Sequence, residues 1–402
     1  MVLLHGHSGD FARVSPANKF RAACYTIEGI NSFAVVIYFN YLYFFFRDNF
    51  GFNDRQNLEF AALIGLNYVF VSWQAGRFAQ RYGNFTALRI GFAVMATGFA
   101  MALFIHAMIG QIVLACVVNT GMCFIWPVLE ALVSEGPNPA RAVGIYNITW
   151  AVANAVAFFI GGTIIHAFGY RSIFYLPLAL MVLQFALVFW LEKIYASEQV
   201  ADHGKHLPPD PNRPAPAIAR KFQGMAWLAN PFAYIAINTL IAVLPGIAKK
   251  FDLSPMQAGF MCSLWGFARV FAFVALWKWT GWHYRFRWLV SAFAMLIVSF
   301  AVILVAPSRA AILAAQIFFG LAIGLIYYSS LFYAMDASET KSEHGGIHEA
   351  AIGVGNCLGP AAGATALWLV PQDAAIGAWA VSGLLTIGLG GLVWLQQRPA
   401  KP

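Results

Sequence analysis

The most constraining feature of this chain is a series of long apolar stretches, each interrupted by only a few polar residues. A helix needs roughly 20 predominantly apolar residues to cross the ~30 Å hydrocarbon core of a bilayer. The chain has 402 residues, of which 60% are hydrophobic and only 10% are charged, whereas soluble domains carry about 25% charged residues. We therefore expect an all-α integral membrane protein with most of its chain inside the bilayer.

The apolar stretches predict twelve transmembrane helices, numbered here as spans 1 to 12, when read with a window of about 19 residues. The first six lie at 22–46, 57–75, 86–107, 111–133, 140–167 and 171–192, and the last six at 222–248, 256–280, 288–306, 309–335, 344–370 and 374–396. The segment 193–221 between them contains five prolines and most of the mid-chain charge, so it cannot bury enough apolar surface to fold alone. We expect a tail at 1–21, a six-helix bundle at 22–192, a linker at 193–221, a second six-helix bundle at 222–396 and a tail at 397–402.

The distribution of basic residues predicts the orientation. Of the 25 Lys and Arg residues, 18 fall in the tails, the linker and the loops on their side, six fall in the opposite loops, and Arg269 lies within a span. Because cytoplasmic loops are enriched in Lys and Arg, we expect both termini and the linker in the cytoplasm and the protein in the plasma membrane, with no cleaved signal. The net charge of +8 then belongs to these loops and does not indicate nucleic-acid binding.

A weak internal repeat relates the two predicted bundles. A shift of 202 residues places Gly144 on Gly346, Asn154 on Asn356 and Gly161 on Gly363. Repeats of this kind are common in secondary transporters, and they predict two pseudo-symmetric six-helix halves.

Charged residues inside the spans follow a regular pattern. Spans 3, 6, 9 and 12 carry none away from their ends, whereas spans 1, 4, 8 and 11 carry Glu28, Glu130, Arg269 and Glu349. A charge within the bilayer is costly and has to face a partner or water. Spans 3, 6, 9 and 12 are therefore predicted to face lipid, and the other spans to surround a polar interior.

Helical spacing groups further polar residues with these charges. Asn147 and Asn154 are seven residues apart in span 5, as are Glu349 and Asn356 in span 11, and this spacing returns to the same helix face. Glu28 and Asn31 form a second predicted patch, and Trp126 and Glu130 flank Pro127 in span 4, where the proline loosens the backbone.

The run from Gly76 to Gly83, Gly-Arg-Phe-Ala-Gln-Arg-Tyr-Gly, resembles the loop signature of the major facilitator superfamily, G-x-L-A-D-R-x-G-R. It departs from that signature at Gln80, where the family has aspartate, and at Asn84, where a basic residue is common. The run Gly359-Pro360-Ala361-Ala362-Gly363 resembles part of an antiporter motif, but that motif belongs on span 5, and we infer no antiport from it.

The resemblance implies an alternating-access carrier, often a monomer, in which spans 1, 4, 7 and 10 line the cavity. It implies a conformational gating segment formed by Gly76, Arg77, Gln80, Arg81 and Gly83. Together with the polar pattern, it gives these candidate residues for proton coupling or substrate binding: Glu28, Asn31, Trp126, Glu130, Asn147, Trp150, Asn154, Asn238, Arg269, Tyr327, His348, Glu349 and Asn356.

Several roles remain open at this point. Glu349 and Glu28 either carry protons or contact substrate, or they form structural ion pairs, most simply Glu349 with Arg269. Arg269 suits an anionic substrate, although three acidic residues make the predicted interior negative on balance. His344, His348 and Glu349 have metal-ligand spacing without a third strong ligand nearby, and we expect no metal.

We expect a proton-coupled transporter of a small polar solute, with symport as the favoured mode. The alternative is an exporter of amphipathic or lipophilic compounds. An enzyme is not expected, because the chain contains no G-x-S-x-G, HExxH or P-loop motif, and neither is a cofactor. The expected partners are the solute, protons and membrane lipid, with no nucleic acid.

Overall fold

A computed structural model of the protein describes residues 16–135, 139–199, 215–337 and 342–399. Of the residues in these ranges, 89% are helical. Spans 1 to 6 are formed by α1 (Pro16–Phe50), α2 (Asp54–Tyr82), α3 (Asn84–Ala102), α4 (Met108–Cys123) followed by α5 (Trp126–Ser134), α6 (Pro139–Phe168) and α7 (Ser172–Gln199). Spans 7 to 12 are formed by α8 (Pro216–Lys250), α9 (Pro255–Cys262) followed by α10 (Leu264–Lys278), α11 (Phe286–Val305), α12 (Arg309–Ala337), α13 (Ser342–Leu369) and α14 (Ile376–Gln397).

Within the described ranges, eleven spans are long and apolar enough to cross a membrane, and α2 is the twelfth. Its 29 residues extend over about 43 Å at 1.5 Å per residue, but Asn57, Asn67 and Gln74 lower its hydropathy. Asn57 donates to the carbonyl oxygen of Tyr43 on α1, Asn67 accepts from Asn119 on α4, and Gln74 is exposed. The predicted fold class, two six-helix bundles in the membrane, is confirmed.

The helix ends follow local sequence signals. Asn53 caps α2 and Ser254 caps α9, each in a capping box with the glutamine three residues later. α7 and α8 both extend into the segment predicted as linker, and α8 starts at Pro216, which is tolerated in the first turn because its missing N–H has no helical partner there.

Two spans are broken near their middle. In span 4, α4 gives way to a tight turn at Phe124 and Ile125, whose N–H groups donate to carbonyls three residues earlier, and Pro127 is the second residue of α5. In span 8, Ser263 separates α9 from α10. Both breaks lie within a few residues of the charged groups Glu130 and Arg269.

The two halves meet along two seams, one between α2 and α13 and the other between α6 and the α9–α10 pair. Glycines allow the backbones to approach. A Cβ at Gly65 would collide with the backbone of Asn356 and Cys357 in α13, and one at Gly162 would collide with the backbone of Pro255 and Met256 in α9. The seams are therefore closely packed interfaces.

Among the apolar stretches of the described spans, burial inside the protein is greatest in α1 and least in α14. In the most apolar stretch of α1, 72% of the residues are buried inside the protein, whereas the corresponding share in α14 is 33%. Large apolar side chains such as Trp190 on α7, Val298 on α11 and Ile387 on α14 are exposed, as expected for lipid-facing surfaces.

Candidate functional site

A cavity lies between the two halves. The volume of this cavity is about 190 Å³. Residues of α1, α2, α4, α5, α6, α8, α10, α12 and α13 line it, and among the described residues none comes from α3, α7, α11 or α14. Spans 3, 6, 9 and 12, which were predicted to face lipid, thus contribute no described residue to the cavity lining.

Glu28 lies on the wall of the first half and is 1% exposed. One carboxylate oxygen accepts hydrogen bonds from Ser32 Oγ at 2.6 Å and Trp126 Nε1 at 3.2 Å, and the other accepts one from the Tyr146 hydroxyl at 3.0 Å. Three donors satisfy most of the accepting capacity of a carboxylate. Glu28 therefore connects spans 1, 4 and 5.

Glu349, on α13, accepts a hydrogen bond from the hydroxyl of Tyr68 on α2. Both residues are at least 95% buried, and the bond joins the two halves. The alternative in which Glu349 pairs with Arg269 is not observed, since the described residues form no ion pair between them.

Arg269, on α10, is 6% exposed and makes no hydrogen bond to any residue that the structure describes. Its guanidinium carbon lies 4.5 Å from the centre of the Trp150 ring and 5.1 Å from that of Trp265. Cation–π contacts of this kind are stabilising, but they leave the N–H donors without acceptors among the described residues.

Glu130, on α5, lines the same cavity and makes no hydrogen bond or ion pair within the described part of the chain. Glu28, Glu130 and Glu349 lie within electrostatic range of one another. With all four ionisable groups charged, the cavity carries three negative charges and one positive charge.

Amides extend the polar lining. Asn238 on α8 donates to Asn356 on α13 at 2.5 Å. Asn154 also faces the cavity, and its amide oxygen is buried without a partner among the described residues. Asn154 and Asn356, which the internal repeat aligns, thus lie on the same cavity from opposite halves.

Ten of the thirteen candidate residues line the cavity, namely Glu28, Trp126, Glu130, Trp150, Asn154, Asn238, Arg269, Tyr327, Glu349 and Asn356. Asn31 does not line the cavity, because three residues turn a helix to about 60° from the starting direction, on the side of Glu28 away from the lining residues Val36 and Asn40. Asn31 is fully buried outside the cavity lining.

Asn147 and His348 complete the predicted set. Asn147 does not line the cavity. Its amide oxygen accepts the indole N–H of Trp150 at 2.9 Å and so orients that ring. The side chains of His348 and His344 lie outside the described residues. No group of three potential metal ligands is present among the described side chains.

The predicted gating segment is helical. Gly76, Arg77, Gln80 and Arg81 form the last two turns of α2, and only Gly83 stands between α2 and α3, with a φ of +91° that suits glycine. The Arg77 guanidinium lies 4.5 Å from the centre of the Trp73 ring.

The lining residues that the sequence interpretation missed include four aromatic residues near the charged groups: Tyr68, Tyr146, Tyr234 and Trp265. Three of them lie four positions before a predicted residue: Tyr146 before Trp150, Tyr234 before Asn238, and Trp265 before Arg269. Side chains at i and i+4 share a helix face, so this spacing would have identified them. No comparable signal marks Tyr68, because its partner Glu349 lies 281 positions away.

The fold and the cavity define a multi-pass membrane protein in which two helical halves enclose a charged chamber, the architecture of secondary transporters. The sequence model of the Major Facilitator Superfamily matches residues 22–364. The chain belongs to this family, and the protein is a membrane transporter of that type.

Solved structures share the fold at low sequence identity. The human organic anion transporter MFSD10 (TETRAN) is 13% identical with a TM-score of 0.67, covering 94% of this chain and 99% of its own. A mutant of the nucleoside transporter NupG is 11% identical with a TM-score of 0.70 and the same coverage. An auto-inhibited POT family peptide transporter is 13% identical with a TM-score of 0.72, covering 96% of this chain and 98% of its own. A comparison with curated protein sequences finds no match.

Proposed function

We propose that the protein is a proton-coupled secondary transporter of a small polar solute, working by alternating access as a monomer in the plasma membrane with its tails and linker in the cytoplasm. The observation that carries the proposal is the hydrogen bond between Tyr68 and Glu349, which joins the two halves inside the cavity. Hydrogen bonds to an ionised acceptor are roughly twice as strong as neutral ones. Protonation of Glu349 therefore weakens a contact between spans 2 and 11, which couples proton binding to the relative position of the halves.

A polar solute suits this cavity better than a lipophilic one. Glu28, Glu130, Arg269 and Glu349 all line it, and an apolar solute would remove water from these groups without replacing its hydrogen bonds. The neighbouring structures are described as transporters of organic anions, nucleosides and peptides. They are consistent with a polar solute, although identities of 11–13% select none of these classes.

The proposal can be tested in proteoliposomes that contain a pH-sensitive dye. Pools of polar metabolites, one chemical class at a time, are added outside in the absence of a proton gradient. A symported solute carries protons inward, so we expect at least one pool to acidify the lumen. Protein-free liposomes should show no such signal, and Glu349→Gln should abolish it.

The matched control is Glu59→Gln, which removes an exposed carboxylate of α2 that pairs only with Arg55 at the surface. This variant should acidify the lumen like the wild type. Acidification that persists undiminished in Glu349→Gln would remove Glu349 from the coupling role. Radiolabelled solute uptake without any proton movement would contradict the proton coupling.

A further inference from the structure

Resting on the transporter function proposed above, a further inference concerns the chemical class of its solute. The cavity contains a cation and an anion that both lack a hydrogen bond or ion pair with any described residue, and they do not pair with each other. These are the guanidinium of Arg269 on the second half and the carboxylate of Glu130 on the first half. Buried charges normally pair, so their separation calls for an explanation.

The positive end of the cavity is a set of hydrogen-bond donors without acceptors. The Nε atom of Arg269 is buried without a partner among the described residues, and so is the indole Nε1 of Trp265, whose residue is 4% exposed. Neither group can accept a hydrogen bond. The ligand group that satisfies both is an anion, and a carboxylate suits the fork of an arginine.

The negative end is formed by Glu130 because the other two carboxylates are engaged. Glu28 already accepts three hydrogen bonds, and Glu349 accepts one from Tyr68 across the seam. Glu130 accepts none from the residues described, and it faces the cavity. It is the carboxylate best placed to receive a cationic group of a solute.

Two tyrosines line the cavity near both of these charges. Tyr234 and Tyr327, with ring centres 6.3 Å apart, both lie within electrostatic range of Arg269 and Glu130. The rings and both charges thus line the same cavity, and the rings offer an apolar surface to the hydrocarbon part of a small molecule.

We propose that the cavity binds a small zwitterion, with its carboxylate at Arg269 and Trp265, its ammonium group at Glu130, and its hydrocarbon against Tyr234 and Tyr327. A simple anion would leave Glu130 unpaired, and a simple cation would leave Arg269 unpaired. Only a solute with both charges satisfies both ends at once.

The test is a binding series with the full chain in lipid nanodiscs, measured by calorimetry at neutral pH. The probes are unbranched amino acids with an amino group at one end, a carboxylate at the other, and one to five methylene groups between. Each is compared with the amine and the carboxylate of the same chain length. We expect one amino acid to bind about tenfold or more tightly than both of its single-charge counterparts.

Two variants should remove this advantage in different ways. In Glu130→Gln, the affinity for the amino acid should fall to the affinity for the carboxylate probe of the same chain length. In Arg269→Gln, it should fall to the affinity for the amine probe. If Arg269→Gln does not fold, Trp265→Phe keeps the ring beside the guanidinium and removes only the indole donor, and it should weaken binding of the amino acid and the carboxylate but not of the amine. Arg55→Gln, at the exposed Arg55–Glu59 pair, should bind all probes as the wild type does.

The inference is overturned if a single-charge probe binds as tightly as the best amino acid, if no member of the series binds at millimolar concentrations, or if Glu130→Gln changes nothing. Such a result leaves the transporter proposal intact when another solute class acidifies the lumen of the proteoliposomes. Conversely, binding of the amino acid without transport or proton movement supports the zwitterion site and contradicts the coupled transporter.

Discussion

Two buried tyrosines show how differently the same hydroxyl group behaves in this protein. Tyr68 donates to Glu349 across the seam between the halves. Tyr38, on α1, is fully buried against Phe39 and Phe99, and its hydroxyl has no hydrogen-bond partner among the described residues. The two residues therefore form a matched pair, in which the hydroxyl of Tyr68 makes a hydrogen bond and that of Tyr38 makes none to a described residue.

We expect Tyr68→Phe to lower the free energy of unfolding by about 1–3 kcal/mol, because it leaves the carboxylate of Glu349 buried without its donor. Tyr38→Phe should be neutral or stabilising, because it removes a hydroxyl that has no partner. The measurement is thermal denaturation of both purified variants in the same detergent. Equal midpoints for the two variants would show that the bond between Tyr68 and Glu349 contributes nothing to stability.

At the residue scale, much of the cavity was predictable because charge within a membrane span is rare. Glu28, Glu130, Arg269 and Glu349 stood out against apolar surroundings, and all four line the cavity. Their partners were not predictable. That Glu349 meets Tyr68, and not Arg269, depends on how two distant helices pack, and no local spacing encodes that choice.

At the scale of helices, the sequence predicted the number and order of spans from hydropathy alone. The close approach of α2 and α13 was not predicted, although glycines contribute to it. Gly65 lies where α2 touches the backbone of Asn356 and Cys357. Gly383, on the outer face of α14, has no atom within 4 Å of the place where its Cβ would lie. The sequence does not distinguish these two glycines, since both stand in apolar helices.

We expect Gly65→Ala to destabilise the protein by about 1–3 kcal/mol, because the added methyl group overpacks a backbone contact that cannot move aside. Gly383→Ala should instead stabilise by about 0.5–1 kcal/mol, because alanine in an uncrowded helix restricts the unfolded chain. Thermal denaturation of the two variants side by side measures both effects. A stabilised Gly65→Ala would mean that α2 and α13 are further apart in the membrane than in this structure.

At the scale of the whole molecule, the halves touch at both ends of the cavity. At the end predicted to face outward, Gly246 of α8 lies against Asp54 of α2, and Gly162 lies against Pro255. At the cytoplasmic end, Gly144 of α6 lies against Trp277 of α10. The pseudo-symmetry of the bundles was predictable from the repeat, but which of these contacts exist was not, because they depend on the tilt of one rigid half against the other.

Alternating access requires that the two end contacts open in turn, and spin-label distances can measure this without knowledge of the solute. One label pair is placed at the exposed residues Asn49 and Lys249, and the other at Arg141 and Lys278, after replacement of the five native cysteines. Between mildly acidic and mildly alkaline buffer, we expect one distance to lengthen while the other shortens, because protonation of Glu349 releases Tyr68 and the halves rock as rigid bodies.

In Glu349→Gln the acceptor is neutral at every pH, so both distances should stay near their acidic values. As a control, the variant without native cysteines should still unfold cooperatively in thermal denaturation, which shows that the labels report on the folded protein. Distances that lengthen together would indicate loosening and not rocking. Distances that respond equally in the wild type and in Glu349→Gln would place the pH sensor elsewhere, and the bond between the halves would then be structural.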